Sequence, residues 1–318
     1  MPCTASRYRY SYRPCSPGWR RLGHGRRASR ARRRPVRHGQ RGKHFPGRGA
    51  LAVLVAPGLG AAVVLGVFGL LVGSFANVVI YRVPAGLSIV SPRSSCPKCH
   101  APVRPWDNLP VVSWLVLRGR CRDCGAPIAA RYPVVEALVG AVVAGVGWKF
   151  GISWTAGAEA ALASGLVMLG FIDFDHMLLP RKIVYVDLAF VAALLIVAAA
   201  ASGKWGSLGV AAICGAVPWA FFFAVNYVKP KALGFGDVRL ALLIGFGLGW
   251  LGAAYAFLGF IVASVLGSVV GVALIALGRA GRRTAVPFGS FLATGAVATV
   301  LVGAPVVNWY LAMAHLSH

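Results

Sequence analysis

Apolar residues in this chain come in long runs without a charge, each near the length that crosses a bilayer. No charged residue falls between Ala50 and Tyr81, and Leu240 to Gly278 is a second charge-free stretch of 39 residues. A helix of about 20 apolar residues spans the hydrocarbon core, because it satisfies its own backbone where no water can. The sequence therefore predicts an all-α polytopic membrane protein. A first helix is expected within 58–81, with further spans at 134–148, 157–173, 183–201 and 207–228. The stretch from Leu240 to Gly278 is long enough for two helices turning near Gly249, Trp250, Leu251 and Gly252, and 287–312 supplies the last. That makes about eight transmembrane helices.

Charge then orients the spans. Lys and Arg total 33 against eight carboxylates, for a net charge of +25. Such a balance ordinarily points to nucleic acid, but here the charges sit in loops, where they set membrane orientation. With eight spans, the basic residues of 82–132, Arg181 with Lys182, Lys229 with Lys231, and Arg279, Arg282 and Arg283 share one face, which is expected to be cytoplasmic. Only Lys149 and Lys204 fall on the other. A multi-pass membrane protein, surrounded by lipid and binding no nucleic acid, is expected. The domains read as a basic tail (1–49), a first transmembrane helix (50–81), a cytoplasmic zinc-binding loop (82–133) and a transmembrane core (134–318).

The tail carries 15 basic residues and no acid, lacks hydrophobic periodicity and reads as disordered. One helix ahead of a cytoplasmic loop would leave it outside, against the positive-inside rule. The expectation is that synthesis begins nearer Ala50.

Cys96 and Cys99, then Cys121 and Cys124, form two CxxC pairs with 21 residues between them. Two such turns hand four thiolates to a tetrahedral ion, and four sulfurs leave no open position, so the expected metal is a structural zinc. Two disulfides or four unrelated thiols are the alternatives, and a reducing cytoplasm disfavours the first. Cys3, Cys15 and Cys214 have no partner at ligand spacing.

Ionisable groups at membrane depth are expensive and mark candidate sites. Asp173 lies where an apolar run ends, in Phe171-Ile172-Asp173-Phe174-Asp175-His176, and Asp237 opens another run after Gly234-Phe235-Gly236. Both belong at the cytoplasmic ends of their helices. Two neighbouring carboxylates can share one proton, the ionised one activating water while the protonated one polarises a carbonyl. Solvated or helix-capping acids are the plain alternative, which suits Asp237 in particular. Asp175 rivals Asp173, but two residues along a helix turn a side chain to nearly the opposite face. Glu159 and Asp187 read as solvated or structural.

The motifs together resemble the prepilin peptidase (type IV leader peptidase) family, whose members are GxGD-type intramembrane aspartic proteases. The likeness is carried by Gly73-Ser74-Phe75-Ala76-Asn77, by Asp107-Asn108-Leu109-Pro110 and Leu117-Arg118-Gly119-Arg120 between the cysteine pairs, and by Arg131-Tyr132-Pro133. Asp173 through Leu178-Leu179-Pro180, the GxGD stretch and Pro287-Phe288-Gly289-Ser290-Phe291-Leu292 complete it in family order. The resemblance implies that Asp173 and Asp237 are catalytic. It also implies a prepilin or pseudopilin substrate, whose basic leader is cut after a Gly on the cytoplasmic side. Long members resemble enzymes that also N-methylate the new amino terminus with S-adenosylmethionine, although no glycine-rich cofactor loop marks that activity here. Arg181, Ala76, Arg239 and Ser290 depart from the usual pattern, Ser290 standing in place of a Pro.

Two readings from other classes compete. A proton- or cation-coupled transporter or assembly scaffold would use the same aspartates, but many transporters show paired halves and none is evident here. A zinc-ribbon module binding nucleic acid through its basic loop would show salt-sensitive binding.

Overall fold

A computed structural model describes residues 58–229, 234–279 and 286–314. The expectations for the basic tail, Cys3 and Cys15 included, lie outside the described residues. Nine α-helices occur among them: α1 (Leu59–Arg82), α2 (Val112–Val116), α3 (Arg131–Phe150), α4 (Trp154–His176), α5 (Arg181–Ser202), α6 (Trp205–Val228), α7 (Phe235–Leu251), α8 (Ala253–Ala276) and α9 (Phe288–Met313). There are no named strands among the described residues. Seven helices are long and apolar enough to cross a membrane, namely α1, α3, α4, α5, α6, α8 and α9.

Helix α7 is shorter, at 17 residues, or roughly 25 Å at 1.5 Å per residue. Its two ends nonetheless lie against opposite ends of α4. Its first turn packs on the end of α4, where a Cβ on Gly236 would meet Leu179 Cβ at 2.7 Å. Its last turn reaches the start of α4, where Trp250 Nε1 donates to Thr155 Oγ1 at 3.2 Å. The eight helices expected are all present, seven of them long and apolar enough to cross a membrane and α7 shorter. The split expected between Gly249 and Gly252 falls at Gly252, whose φ of 132° is open to glycine and separates α7 from α8.

Local signals set the other ends. Ser153 caps α4, its Oγ accepting from the Ala156 N–H at 3.1 Å, which satisfies one orphan donor of the first turn. Met177 ends α4 in the left-handed region at φ 50°, and Pro180 then precedes α5.

Water gives no hydrophobic drive between helices inside lipid, so close backbone approach does the packing. Glycines of α1 lie against α3: a Cβ on Gly69 would meet Val143 Cβ at 2.7 Å, and one on Gly73 would meet Glu136 Cα at 2.7 Å. The pattern recurs where Gly249 of α7 faces Cys214 and Ala211 of α6, and where Gly295 of α9 faces Ala263 of α8. Helix α4 is central, with 67% of its apolar stretch buried against 11% in α6 and in α8, which present their surfaces to lipid.

Candidate active site

One end of the bundle gathers the sequence motifs. Asn77 Nδ2 of α1 donates to Tyr132 O at the start of α3 at 3.0 Å. Arg131 of α3 pairs with Asp175 at the end of α4 and lies over the Phe171 ring, 5.4 Å from its centroid. Leu179, in the turn after α4, packs against both Gly236 of α7 and Gly289 of α9. The ends of α1 and α4 and the starts of α3, α7 and α9 therefore share one side of the molecule.

Asp173 and Asp237 are both buried at this corner. Asp173 sits in the last turn of α4, and its Oδ2 accepts from the Ser290 N–H at 2.8 Å. Ser290 Oγ donates to Gly170 O at 2.9 Å and lies 3.3 Å from the same Oδ2. Residues in the first turn of a helix have N–H groups without an intrahelical partner, and the start of α9 directs one of these at the carboxylate. Gly289 permits the approach, since a Cβ there would stand 2.9 Å from Asp173 Oδ2 and 2.8 Å from Leu179 Cδ1.

Asp237 lies in the first turn of α7, close enough to Asp173 for a direct electrostatic interaction. Helices α4 and α7 touch. Its burial departs from the solvated-cap alternative. Asp175 goes elsewhere, held by Arg131, as the angular offset along a helix requires.

The other carboxylates, read as solvated or structural, are buried at least in part. Glu159 is buried in α4, and neither oxygen has a hydrogen-bond partner among the described residues. It faces Lys149 electrostatically, while Lys149 Nζ donates to Val300 O at 2.6 Å. Of the solvated and structural alternatives, burial leaves Glu159 the structural one, because α4 is enclosed by its neighbours even near its start. Asp187 Oδ2 is likewise unpartnered, pressed against Gly165 of α4.

Between α1 and α3, the two CxxC segments fold alike. Cys96 N–H donates to Ala101 O at 3.0 Å and His100 N–H to Cys96 O at 2.9 Å; Cys121 N–H donates to Ala126 O at 2.8 Å and Gly125 N–H to Cys121 O at 2.9 Å. The residue after each second cysteine has a positive φ, 60° at His100 and 70° at Gly125. The four Sγ atoms all lie within 4.8 Å of one another, a cluster able to hold a metal ion. Backbone N–H groups of Cys99 and then Lys98 pull the Cys96 thiol down to about 6, toward the thiolate that a metal binds. Around the cluster, Arg122 is bonded to Asp107 and Arg104 to Asp123. The Arg122 hydrogen bond holds the Asp107 carboxyl below its ordinary range.

Sequence reasoning missed three contributors here: Ser290 as a donor, Gly289 as the opening, and Leu179 as the shared contact. The Gly289-Ser290 pair at a helix start was the available signal, since a small residue followed by a hydroxyl suits close approach to an acceptor.

Membrane-length helices define a multi-pass membrane protein, with an acidic corner at one end of its bundle. Residues 67–150 match the bacterial peptidase A24 N-terminal domain, and residues 160–272 match the type IV leader peptidase family. The chain is similar to the prepilin leader peptidase/N-methyltransferase of Stutzerimonas stutzeri, 34% identical over 279 residues, covering 79% of this chain and 93% of that protein. Proteins of the same name from Bacillus subtilis (33% identity, 79% and 98% covered) and Myxococcus xanthus (42%, 70% and 66%) are also similar. No solved structure matches. The chain belongs to the type IV leader peptidase family and is a peptidase.

Proposed function

We propose that this chain cleaves the basic leader from prepilins or pseudopilins at the cytoplasmic face of the bacterial inner membrane, with Asp173 and Asp237 as its catalytic pair. One observation carries the reading: two buried carboxylates, from helices far apart in sequence, share one corner of the bundle. The relatives' name supports the substrate class.

Two carboxylates so placed do not both ionise readily, and the pair titrates as a unit. The ionised member takes a proton from water, whose oxygen bonds to the scissile carbonyl carbon. The protonated member gives its proton to the carbonyl oxygen. Collapse of the tetrahedral intermediate breaks the C–N bond, and a proton passes to the departing amine. The substrate is cut after a Gly, between its leader and its hydrophobic helix. Burial of the pair keeps bulk water from competing for these protons.

The cysteine cluster fits a structural zinc. Zn–S bonds of about 2.3 Å in a tetrahedron place the sulfurs roughly 3.8 Å apart, and Cys96 Sγ and Cys124 Sγ are separated by 3.8 Å. Cys96, Cys99, Cys121 and Cys124 would hold the ion, which supplies folding energy to the loop and no chemistry. N-methylation of the new amino terminus with S-adenosylmethionine is a second activity carried by the relatives' name, and no residue of this chain is assigned to it.

Coexpression with a candidate prepilin, followed by mass spectrometry of its amino terminus, tests the reading. Asp173→Asn and Asp237→Asn should each lower cleavage by roughly 10²–10⁴-fold or more, the scale of a lost proton-transfer group, with insertion unchanged. Undiminished cleavage in either variant would refute the aspartic mechanism.

A further inference from the structure

The cysteine loop carries an apolar patch that the helix bundle leaves uncovered. Trp106, Leu109, Val112, Leu115 and Val116 lie within eleven residues along the 3-10 turn Pro105–Asn108 and α2 and form the patch there. Each is between 53% and 70% exposed. The two residues between Val112 and Leu115 are pinned: Trp114 Nε1 donates to Ile128 O at 3.1 Å, and Ser113 Oγ donates to Trp106 O at 3.0 Å.

Position and charge say what covers the patch. The Val111 N–H, at the start of α2, donates to Glu136 Oε2 at 2.7 Å, and Glu136 lies inside the candidate span α3. That bond holds the start of α2 against the loop-side end of this candidate span, and Val111 has a φ of 61° there, which a β-branched residue seldom adopts. Just beyond α2, Arg118 and Arg120 are exposed and pair with no carboxylate among the described residues. The loop's own acids, Asp107 and Asp123, are occupied by Arg122 and Arg104. An apolar patch with a tryptophan at one end and arginines at the other, tied to the loop-side end of a candidate span, matches a lipid interface with anionic headgroups. A soluble partner protein would use the apolar patch but would not require that position.

We infer that the α2 patch lies in the interface of the leaflet on the loop's side, with Arg118 and Arg120 at anionic phospholipid headgroups. Lipid then holds the cysteine cluster against the membrane alongside the Glu136 tether. This rests on the chain spanning the membrane and is independent of its peptidase chemistry.

The test is photocrosslinking of the full-length protein in phosphatidylcholine vesicles with and without phosphatidylglycerol. With p-benzoylphenylalanine in place of Val116, phospholipid adducts should form with a yield roughly ten times that of the same group in place of Lys98, as for a side chain within the interfacial layer. Arg118→Ala with Arg120→Ala should remove any preference for phosphatidylglycerol. Equal yields at the two positions, or adducts to protein alone, would overturn the inference. Amide exchange in the unsubstituted chain gives a second readout needing no variant. Exchange across 106–118 should slow when phosphatidylglycerol is added, and exchange indifferent to lipid charge would count against it.

Discussion

At the scale of single residues, the acidic corner depends on close approach more than on added groups. A Cβ on Gly289 would stand 2.9 Å from Asp173 Oδ2. Gly289→Ala should therefore displace the carboxylate and lower cleavage by roughly 100-fold, as an ångström of misplacement commonly does. A prepilin cleavage assay on inserted protein checks this. Ser290→Ala keeps the backbone N–H that donates at 2.8 Å and loses only the 3.3 Å hydroxyl contact, so most activity should remain. Asp175→Asn should also retain substantial activity, because Asp175 is turned to Arg131. Asp173 and Asp237 were legible in the sequence as acids at helix ends. The resemblance also paired them, but that their helix ends meet is decided by packing across 63 intervening residues.

At the scale of elements, α1 and α3 are joined by glycine-mediated contact and by the loop between them. Gly73→Val would drive methyl groups into the Glu136 backbone, where a Cβ already meets Cα at 2.7 Å. Overpacking of this kind costs about 1–3 kcal/mol, which should appear as a lowered melting temperature in detergent. In the loop, Cys96→Ser or Cys121→Ser should abolish binding of about one zinc per chain and open 82–130 to proteolysis, because the metal's binding energy is the loop's folding energy. Elemental analysis and mapping of the cuts decide it, and a folded wild type without metal would refute it. The Asp107–Arg122 pair should also make the loop acid-sensitive. A carboxyl held below its ordinary range contributes stability that is present above its unfolded value and lost as pH falls through the folded one. Asp107→Asn should flatten that acid limb. The CxxC spacing announced the cluster, whereas the Val111–Glu136 bond had no sequence signal, since it depends on how the loop lies against α3.

For the whole molecule, metal loss and helix-bundle integrity should separate. The transmembrane helices owe their stability to backbone satisfaction in lipid and to small-residue packing. A strong chelator should therefore leave the helical circular dichroism signal nearly intact while cuts appear within 82–130. Loss of most helical signal on chelation would mean the loop organises the bundle.

Apolar run lengths determined the number and placement of the helices, since a bilayer admits little else, and the glycine-rich turn separated α7 from α8 as the charge-free length required. Cysteine spacing and isolated acids likewise marked the cluster and the acidic corner that the fold then assembled, because groups that are costly in lipid or rare as pairs stand out against an apolar background. Tertiary structure alone decided that the short α7 reaches both ends of α4, that Glu159 is buried, and that Ser290 and Leu179 join Asp173 at one corner. The reason is physical: hydropathy reports each helix's relation to lipid, while the neighbours of a helix are chosen by which small residues allow backbones to touch.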